Sequence, residues 1–388
     1  MEFRFTEEQQ MIRDTAEAFL AEVSTAAAVR AAMATERGYD EALWRQISEE
    51  MMWPALHIPE AYGGLGLGFV ELAAMQEQMG RVLLCAPFLA TVGMGVNALL
   101  VAGTEAQKQQ YLAAIAAGST ATLAFMAPGS RPDAHAVQAT WAADGDGFVL
   151  NGEYRYVLDG HTAEILIVAA REAGSEGEVG ISLFVLPADA AGVSREWLPT
   201  MDQTRKQASI TLKDVKPGAD ALMGETGAGW PALAKILDLA TVAVAAEQVG
   251  VAQQSLDSSV AYTMERVQFG RTIASYQAIK HKAADMMLKV EAARSAAYYA
   301  ACIADEALAG NPLGAGLAEA ASIAKAYCSD AAFFNAGCGI QLHGGVGITA
   351  EYDIQLYFKR AKSTETLLGD AAWHRERLAR QLLDGEAA

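Results

Sequence analysis

Glu265-Arg266-Val267-Gln268-Phe269-Gly270-Arg271-Thr272-Ile273, followed by Tyr276-Gln277-Ala278-Ile279-Lys280-His281, stands between two long Ala-rich stretches of helical character. A helix from about Pro231 is expected to end near Gly270, and a second to begin after Ser275, because apolar residues on either side recur at helical spacing. Upstream, from about Ser119 to Glu225, the pattern changes to period two. The runs Ala121–Met126, Phe148–Leu150, Ile165–Ala170, Ile181–Leu186 and Ile210–Leu212 read as short strands separated by Gly, Pro and Asp. Asp144-Gly145-Asp146-Gly147 marks a hairpin. Farther upstream, from Thr6 to about Ala117, the helical pattern returns. Thr6 with Gln9 resembles a capping box, and Met11, Ile12, Ala16, Phe19 and Leu20 recur at helical spacing. The turn-rich segment Pro59-Glu60-Ala61-Tyr62-Gly63-Gly64-Leu65-Gly66-Leu67-Gly68 interrupts it. Helices, then strands, then helices predict an α+β chain of segregated domains, at 1–118, 119–228 and 229–388. No fixed-period repeat supports a solenoid.

Composition narrows the function. The chain has 388 residues, more than one core usually holds, with 52% hydrophobic and 20% charged residues. Its formal net charge of −18, with basic residues scattered, argues against nucleic-acid binding. The stretch His374-Arg375-Glu376-Arg377 has an acid inside it. Cys85, Cys302, Cys328 and Cys338 form no CxxC pair and no metal spacing, and read as small buried hydrophobes of a reducing compartment. No metal site is expected. No apolar run reaches the roughly 18 residues of a membrane helix, and the charged, amphipathic start is unlike a signal peptide. The expectation is a cytoplasmic protein.

Three segments could carry chemistry. Arg266 and Arg271 lie near a helix C-terminus, where they either complement its dipole or offer planar forks to a pyrophosphate. Gly337-Cys338-Gly339-Ile340-Gln341-Leu342-His343-Gly344-Gly345-Val346-Gly347-Ile348 follows a helical stretch, Ala318–Ala336. It is either a C-cap and turn or a place where backbone amides approach a ligand closely. It matches neither the P-loop nor the dinucleotide fingerprint. In Phe358-Lys359-Arg360-Ala361-Lys362-Ser363-Thr364-Glu365-Thr366-Leu367-Leu368-Gly369-Asp370, the aspartate after a glycine and before a helical run is a natural N-cap.

In order and spacing these segments resemble the acyl-CoA dehydrogenase family, and the resemblance covers essentially the whole chain. Phe5-Thr6-Glu7-Glu8-Gln9, the Pro59-Glu60-x-Tyr62-Gly63-Gly64 turn and Asn151-Gly152 belong to it. It implies a helical N-terminal domain, a small β-barrel-like middle domain and a C-terminal four-helix bundle that dimerises, with FAD lying across the subunit interface. Arg266 and Phe269 match residues that reach the pyrophosphate and adenine end of a neighbour's FAD. Gln277 matches a further contact, and Gln341, Gly344 and Gly345 match the glycine-rich segment along the same cofactor. The implied activity is α,β-dehydrogenation of an acyl-CoA thioester. A carboxylate removes the α-proton, a hydride leaves the β-carbon for flavin N5, and electrons pass to an electron-transfer flavoprotein.

The departures are as informative as the matches. Where most members place a glutamate base this chain has Leu368, and the alternative position on the helix opening the bundle is Ala240. The flavin-side Thr-Glu-Pro-Gly reads Met126-Ala127-Pro128-Gly129, and the Trp-x-Thr reads Tyr156-Val157-Leu158, whose leucine offers no hydroxyl donor. Two readings follow from the resemblance. One is the supporting subunit of a heterotetramer with a related chain, similar to subunits acting on bulky substrates in lipid or steroid catabolism. The other is an active homodimer or tetramer with a displaced base, Asp370 first and Glu247 second. Glu247 alternatively bonds a neighbouring helix, and Glu365 pairs with Lys362. An oxidase or monooxygenase on the same scaffold, and a cofactor-free structural subunit, stand as alternatives.

Overall fold

Thr6 Oγ1 accepts the Gln9 backbone N–H at 3.1 Å while Gln9 Oε1 accepts that of Thr6 at 3.1 Å, so the expected capping box opens the first helix. The computed structural model describes residues 5–384; residues 1–4, part of the amphipathic start, and 385–388 lie outside them. Contacts group the chain into two compact units.

The first unit comprises residues up to Ala31, Phe69–Leu84 and Thr241 onward. Its helices are α1 (Glu7–Val23), α2 (Phe69–Arg81), α3 (Trp230–Glu265, from Thr241 in this unit), α4 (Gln277–Leu308), α5 (Leu317–His343), α6 (Ile354–Thr366) and α7 (Ala371–Ala379). From Thr241 to Ala252 every residue of α3 is buried, as in a helix surrounded by neighbours. Small residues bring the helices close: a Cβ on Gly250 of α3 would collide with the Glu77 carbonyl of α2. The carboxylate of Asp305, on α4, caps α2 by accepting the Phe69 and Val70 N–H groups. Among the described residues no helix is long and apolar enough to cross a membrane.

Several details differ from the sequence-based expectations. α3 stops at Glu265, and Val267–Gln268 pairs antiparallel with Arg271–Thr272. The turn residues Phe269 (φ 53°) and Gly270 (φ 79°) both adopt the left-handed conformation of a tight hairpin, whereas a helix end uses it at a single residue. α5 also runs seven residues past Ala336, through Gly337 and Gly339. The glycine at 339 answers to packing, since a Cβ there would stand 2.6 Å from Ile354 Cδ1. Cys85 and Cys328 are buried as expected, while Cys302 and Cys338 are half-buried.

The second unit comprises Ala32–Gly68 and Cys85–Ala240. Its turn-rich segment contains one short turn of 3-10 helix at Glu60–Tyr62, closed by Gly63 at φ 82°. Eight strands follow: β1 (Ala121–Ala124), β2 (Thr140–Asp144), β3 (Gly147–Leu158), β4 (Ile165–Glu172), β5 (Ile181–Pro187), β6 (Val193–Leu198), β7 (Gln207–Val215) and β8 (Leu222–Met223). β2 and β6 were not legible as strands because only three of five and three of six residues are apolar. The order is β6-β7-β3-β2-β4-β5-β8, with β1 parallel to β4. Asp144 pairs with Gly147 across the predicted hairpin. Ile210 and Leu212 of β7 share a core cluster with Phe184 and Leu186 of β5, four strands away. A flat sheet would hold those strands roughly 19 Å apart, so the sheet curls into a barrel-like form around them.

Candidate functional site

Two opposite kinds of local structure meet the predicted site residues: surfaces held open in the C-terminal helices, and carboxylates already engaged. The hairpin at 267–272 is the first. Ile273 N–H donates to Arg266 O at 2.9 Å, Tyr276 Oη–H donates to Gln268 O at 3.3 Å, and the Arg271 guanidinium lies 3.9 Å over the Tyr276 ring. Those contacts stiffen the turn that carries Phe269, which is 93% exposed. The Arg266 guanidinium is exposed and makes no hydrogen bond or ion pair among the described residues. An aromatic ring and an arginine fork therefore project from a braced loop, each without a partner among the described residues.

At the end of α5, His343 Nδ1–H donates to Gly339 O at 2.7 Å, and its ring stacks on Tyr262 of α3 with centroids 4.3 Å apart. That stack brings the Arg266 end of α3 to the Gln341–Gly345 end of α5. Gly344 caps α5 at φ 64°, and a Cβ on Gly344 or Gly345 would meet nothing within 4 Å. Internal packing thus gives no reason for glycine at 345, whereas Gly347 packs against Ile340 O. Gln341 is exposed and shares a cleft with Ala278 and Ile279, the residues following Gln277 at the start of α4. Arg266, Phe269, Gln277, Gln341, Gly344 and Gly345 accordingly gather at one end of the helical unit.

Asp370 is elsewhere. Its carboxylate accepts the Trp373 N–H at 2.8 Å as the N-cap of α7, and it is exposed. Just before it, Leu368 is buried at φ 58° and Gly369 stands at φ 96°. Lys325 of α5 fixes this strained turn, its ammonium donating to Gly369 O (2.7 Å), Glu365 O (3.0 Å) and Ser329 Oγ (3.1 Å). Lys325 and Gln341 lie sixteen residues apart on one helix, roughly 24 Å along its axis. Burial lowers the Lys325 pKa to about 7. His374 Nε2–H donates to Leu368 O at 3.0 Å, and Nδ1 lies 3.2 Å from Ser322 Oγ. Burial, and then the nearby Lys325 charge, push the His374 pKa down to about 3, so it is neutral and holds that tautomer.

The other carboxylates considered are committed too. Glu247 Oε1 lies 2.8 Å from Arg360 Nη1 of α6, with both side chains 1% exposed. Glu365 pairs with Lys362 at 2.8 Å. In the second unit, Arg155 N–H donates to Met126 O at 2.9 Å, so the two flavin-side departures, thirty residues apart in sequence, adjoin. There β3 bulges: Tyr156 takes φ 61° and is 46% exposed, while Leu158 is buried and its carbonyl accepts Thr122 Oγ1–H at 2.6 Å. The one hydroxyl in Met126–Gly129 and Tyr156–Leu158 is that of Tyr156.

Three family profiles match in succession: acyl-CoA dehydrogenase, N-terminal domain, over residues 6–119; the middle domain over 122–215; and the C-terminal domain over 227–383. The chain belongs to the acyl-CoA dehydrogenase family. Acyl-CoA dehydrogenase IpdE2 of Mycobacterium tuberculosis (strain ATCC 25618 / H37Rv) is 35% identical over 365 residues, covering 93% of each chain. Among solved structures, a variant of the Tcur3481-Tcur3483 steroid ACAD matches with TM-score 0.86 and 30% identity, covering 98% of this chain and 99% of that one. The ChsE4-ChsE5 complex from Mycobacterium tuberculosis contains a chain matching with TM-score 0.87 and 26% identity over 100% of both.

Acyl-CoA dehydrogenases are flavoproteins, and this chain's residues suit one end of the dinucleotide. Open backbone at Gly344 and Gly345, a free guanidinium and an exposed ring could hold phosphates and a purine base. Of the acids nearest Leu368 in sequence, Glu365 pairs with Lys362 and Asp370 caps α7. Sequence reading missed Lys325 and His374. A lone lysine inside the apolar run Ala320–Ala326 was the available signal, since a buried ammonium needs several acceptors.

Proposed function

We propose that this chain is the supporting subunit of a heteromeric acyl-CoA dehydrogenase, completing a FAD site whose ring-side residues and base reside on a related partner. One observation carries the reading. The groups suited to a dinucleotide's outer end are exposed and without partners among the described residues, whereas Glu247, Glu365 and Asp370 are all tied into the fold. When bound, the flavin takes up the two electrons removed from an acyl-CoA. Arg266 then binds the pyrophosphate, Phe269 covers the adenine end, and Gln277, Gln341, Gly344 and Gly345 line the same stretch. The acyl-CoA chain is bulky, as the steroid enzyme among the similar structures suggests. Electrons leave to an electron-transfer flavoprotein in the cytoplasm. In this subunit residues 1–118, 119–228 and 229–388 form the three domains.

Flavin stoichiometry tests the proposal. The chain purified alone is colourless, and becomes yellow when co-expressed with a related chain; Arg266→Ala lowers the flavin content of that complex. One flavin per chain in the isolated protein, with bleaching by acyl-CoA, establishes instead the homo-oligomer with Asp370 as base, a reading that the exposure of Asp370 favours.

A further inference from the structure

Ser329 of α5 lies between a lysine and an amide in the interior of the helical unit. Its Oγ stands 3.1 Å from Nζ of Lys325, one turn earlier on the same helix. The same oxygen is 3.0 Å from Nε2 and 3.3 Å from Oε1 of Gln248 on α3. All three side chains are 0% exposed. The ammonium also donates to Gly369 O and Glu365 O, from the residue before the Asp370 cap and from the last turn of α6. Carbonyls only accept. Of these three partners of Lys325, only Ser329 carries a proton that it can donate.

The two protonation states of a lysine ask different things of those neighbours. The ammonium has three N–H donors, whereas the neutral amine has two and one lone pair. In the charged state Ser329 Oγ accepts from Nζ, and its own proton is left for Gln248 Oε1. When the proton leaves, the two carbonyls keep the two N–H groups and the lone pair falls to Ser329. The hydroxyl then turns to donate to Nζ, and its oxygen accepts the Gln248 Nε2–H. Leaving a buried polar group unpaired is costlier than this rotation. An amide serves either direction because it offers both a donor and an acceptor; a carboxylate would serve only the first state. Burial, opposed by Cys328, Glu365 and Asp370, brings the Lys325 pKa to about 7, so both states are populated near neutrality. The other ionisable groups around this centre are neutral or matched. His374 of α7 is uncharged, Glu247 of α3 pairs with Arg360 of α6, and Glu77 of α2, which reaches Cys328, pairs with Arg294 of α4.

We propose that Ser329 relays the protonation state of Lys325 from the α6–α7 turn to α3, its hydrogen bond reversing as the lysine proton comes and goes. The device is a pH-sensitive switch inside the helical unit. Gly369 O and Glu365 O keep their donors in both states, so the turn holds its shape while the Gln248 amide changes from acceptor to donor. The relay works within one chain and needs neither flavin nor a partner subunit.

Magnetic resonance of the full chain carrying isotope-labelled glutamine provides the test, with side-chain amide signals followed from about pH 6 to about pH 9. The signal missing from Gln248→Met belongs to Gln248. In the natural chain it moves along a single titration step. In Ser329→Ala and in Lys325→Met it stays where it is. Lys325 still titrates in Ser329→Ala, so the alkaline rise in denaturation midpoint persists there. Its onset falls by about one pH unit, because the ammonium has lost an acceptor. That rise shows that the variant is folded and that a silent amide reflects a lost relay, not a lost titration. The two variants report independently, so one decides where the other does not fold. A Gln248 signal that ignores pH in the natural chain overturns the proposal, as does one that titrates unchanged in either variant. A natural chain without the alkaline rise overturns it as well, since Lys325 then keeps one state throughout.

Discussion

Arg360 Nη1 lies 2.8 Å from Glu247 Oε1, and each side chain is 1% exposed. This pair joins α6 to α3 in the interior of the helical unit and commits the Glu247 carboxylate to a guanidinium. Attraction in so dry a place is strong, but so is the cost of desolvating two charges. The pair is therefore worth most as a constraint on its two partners. Removing one partner, by Glu247→Ala or Arg360→Ala, takes from a buried charge its opposite at 2.8 Å and costs about 3–5 kcal/mol, read as a lower denaturation midpoint. The apolar double replacement Glu247→Leu with Arg360→Met loses much less. Single and double variants of equal stability would show that the charges do not depend on one another.

Lys325 makes stability depend on pH in the alkaline direction. Its folded pKa is lowered to about 7, whereas the unfolded chain keeps the proton up to the ordinary lysine range. Between those values the unfolded state binds more protons, so stability rises with pH. Denaturation midpoints of the natural chain should climb from about pH 7 to about pH 10 relative to Lys325→Met. Parallel curves would mean that Lys325 titrates alike in both states.

His374 governs an acid limb by the same reasoning. Its folded pKa near 3 lies below the ordinary 6.5, so the unfolded state takes up the proton first and stability falls as pH drops below 6.5. His374→Gln should flatten the curve between about pH 6 and pH 4. An acid limb of unchanged slope assigns the loss to carboxylates instead.

Gly339 and Gly345 separate packing from ligand approach. Gly339→Ala places a Cβ 2.6 Å from Ile354 Cδ1 and destabilises the fold by about 1–3 kcal/mol. Gly345→Ala meets nothing within 4 Å, and leaves the melting temperature within experimental scatter. It lowers the flavin occupancy of the complex because the methyl group stands where the cofactor backbone would lie. Equal melting temperatures for the two variants, or full occupancy in Gly345→Ala, contradict this division.

Asp370 distinguishes capping from catalysis. Asn caps about as well as Asp, so Asp370→Asn should keep stability, whereas Asp370→Ala loses about 1 kcal/mol. In a supporting subunit Asp370→Asn also leaves the turnover of the complex unchanged. A normal flavin content with abolished turnover in that variant makes Asp370 the base after all.

Much of this protein is legible in the chain itself. The change from period 3.6 to period two and back marks the helical and strand-bearing regions, because that periodicity comes from which face of each element meets the core. Local chemistry was equally readable: the Thr6 capping box, the Asp370 N-cap and the Lys362–Glu365 pair depend on residues within one helical turn. The Phe269–Gly270 turn was not, since a helix stop and a tight hairpin share the same residues. Long-range partners were harder still. Nothing within one helical turn of Arg360 marks its partner, and only the packing of α6 against α3 brings it to Glu247.

Sequence alone, through the order and spacing of its motifs, determined the family and the absence of a carboxylate at Leu368. Tertiary structure alone decided that Glu247 is neutralised by Arg360, that Lys325 and His374 hold the Leu368–Gly369 turn, and that Lys325 and Gln248 meet at the Ser329 hydroxyl. The physical reason is that periodicity and capping are set by neighbours a few residues away. The state of a buried charge is set by whatever group the fold brings within about 3 Å of it.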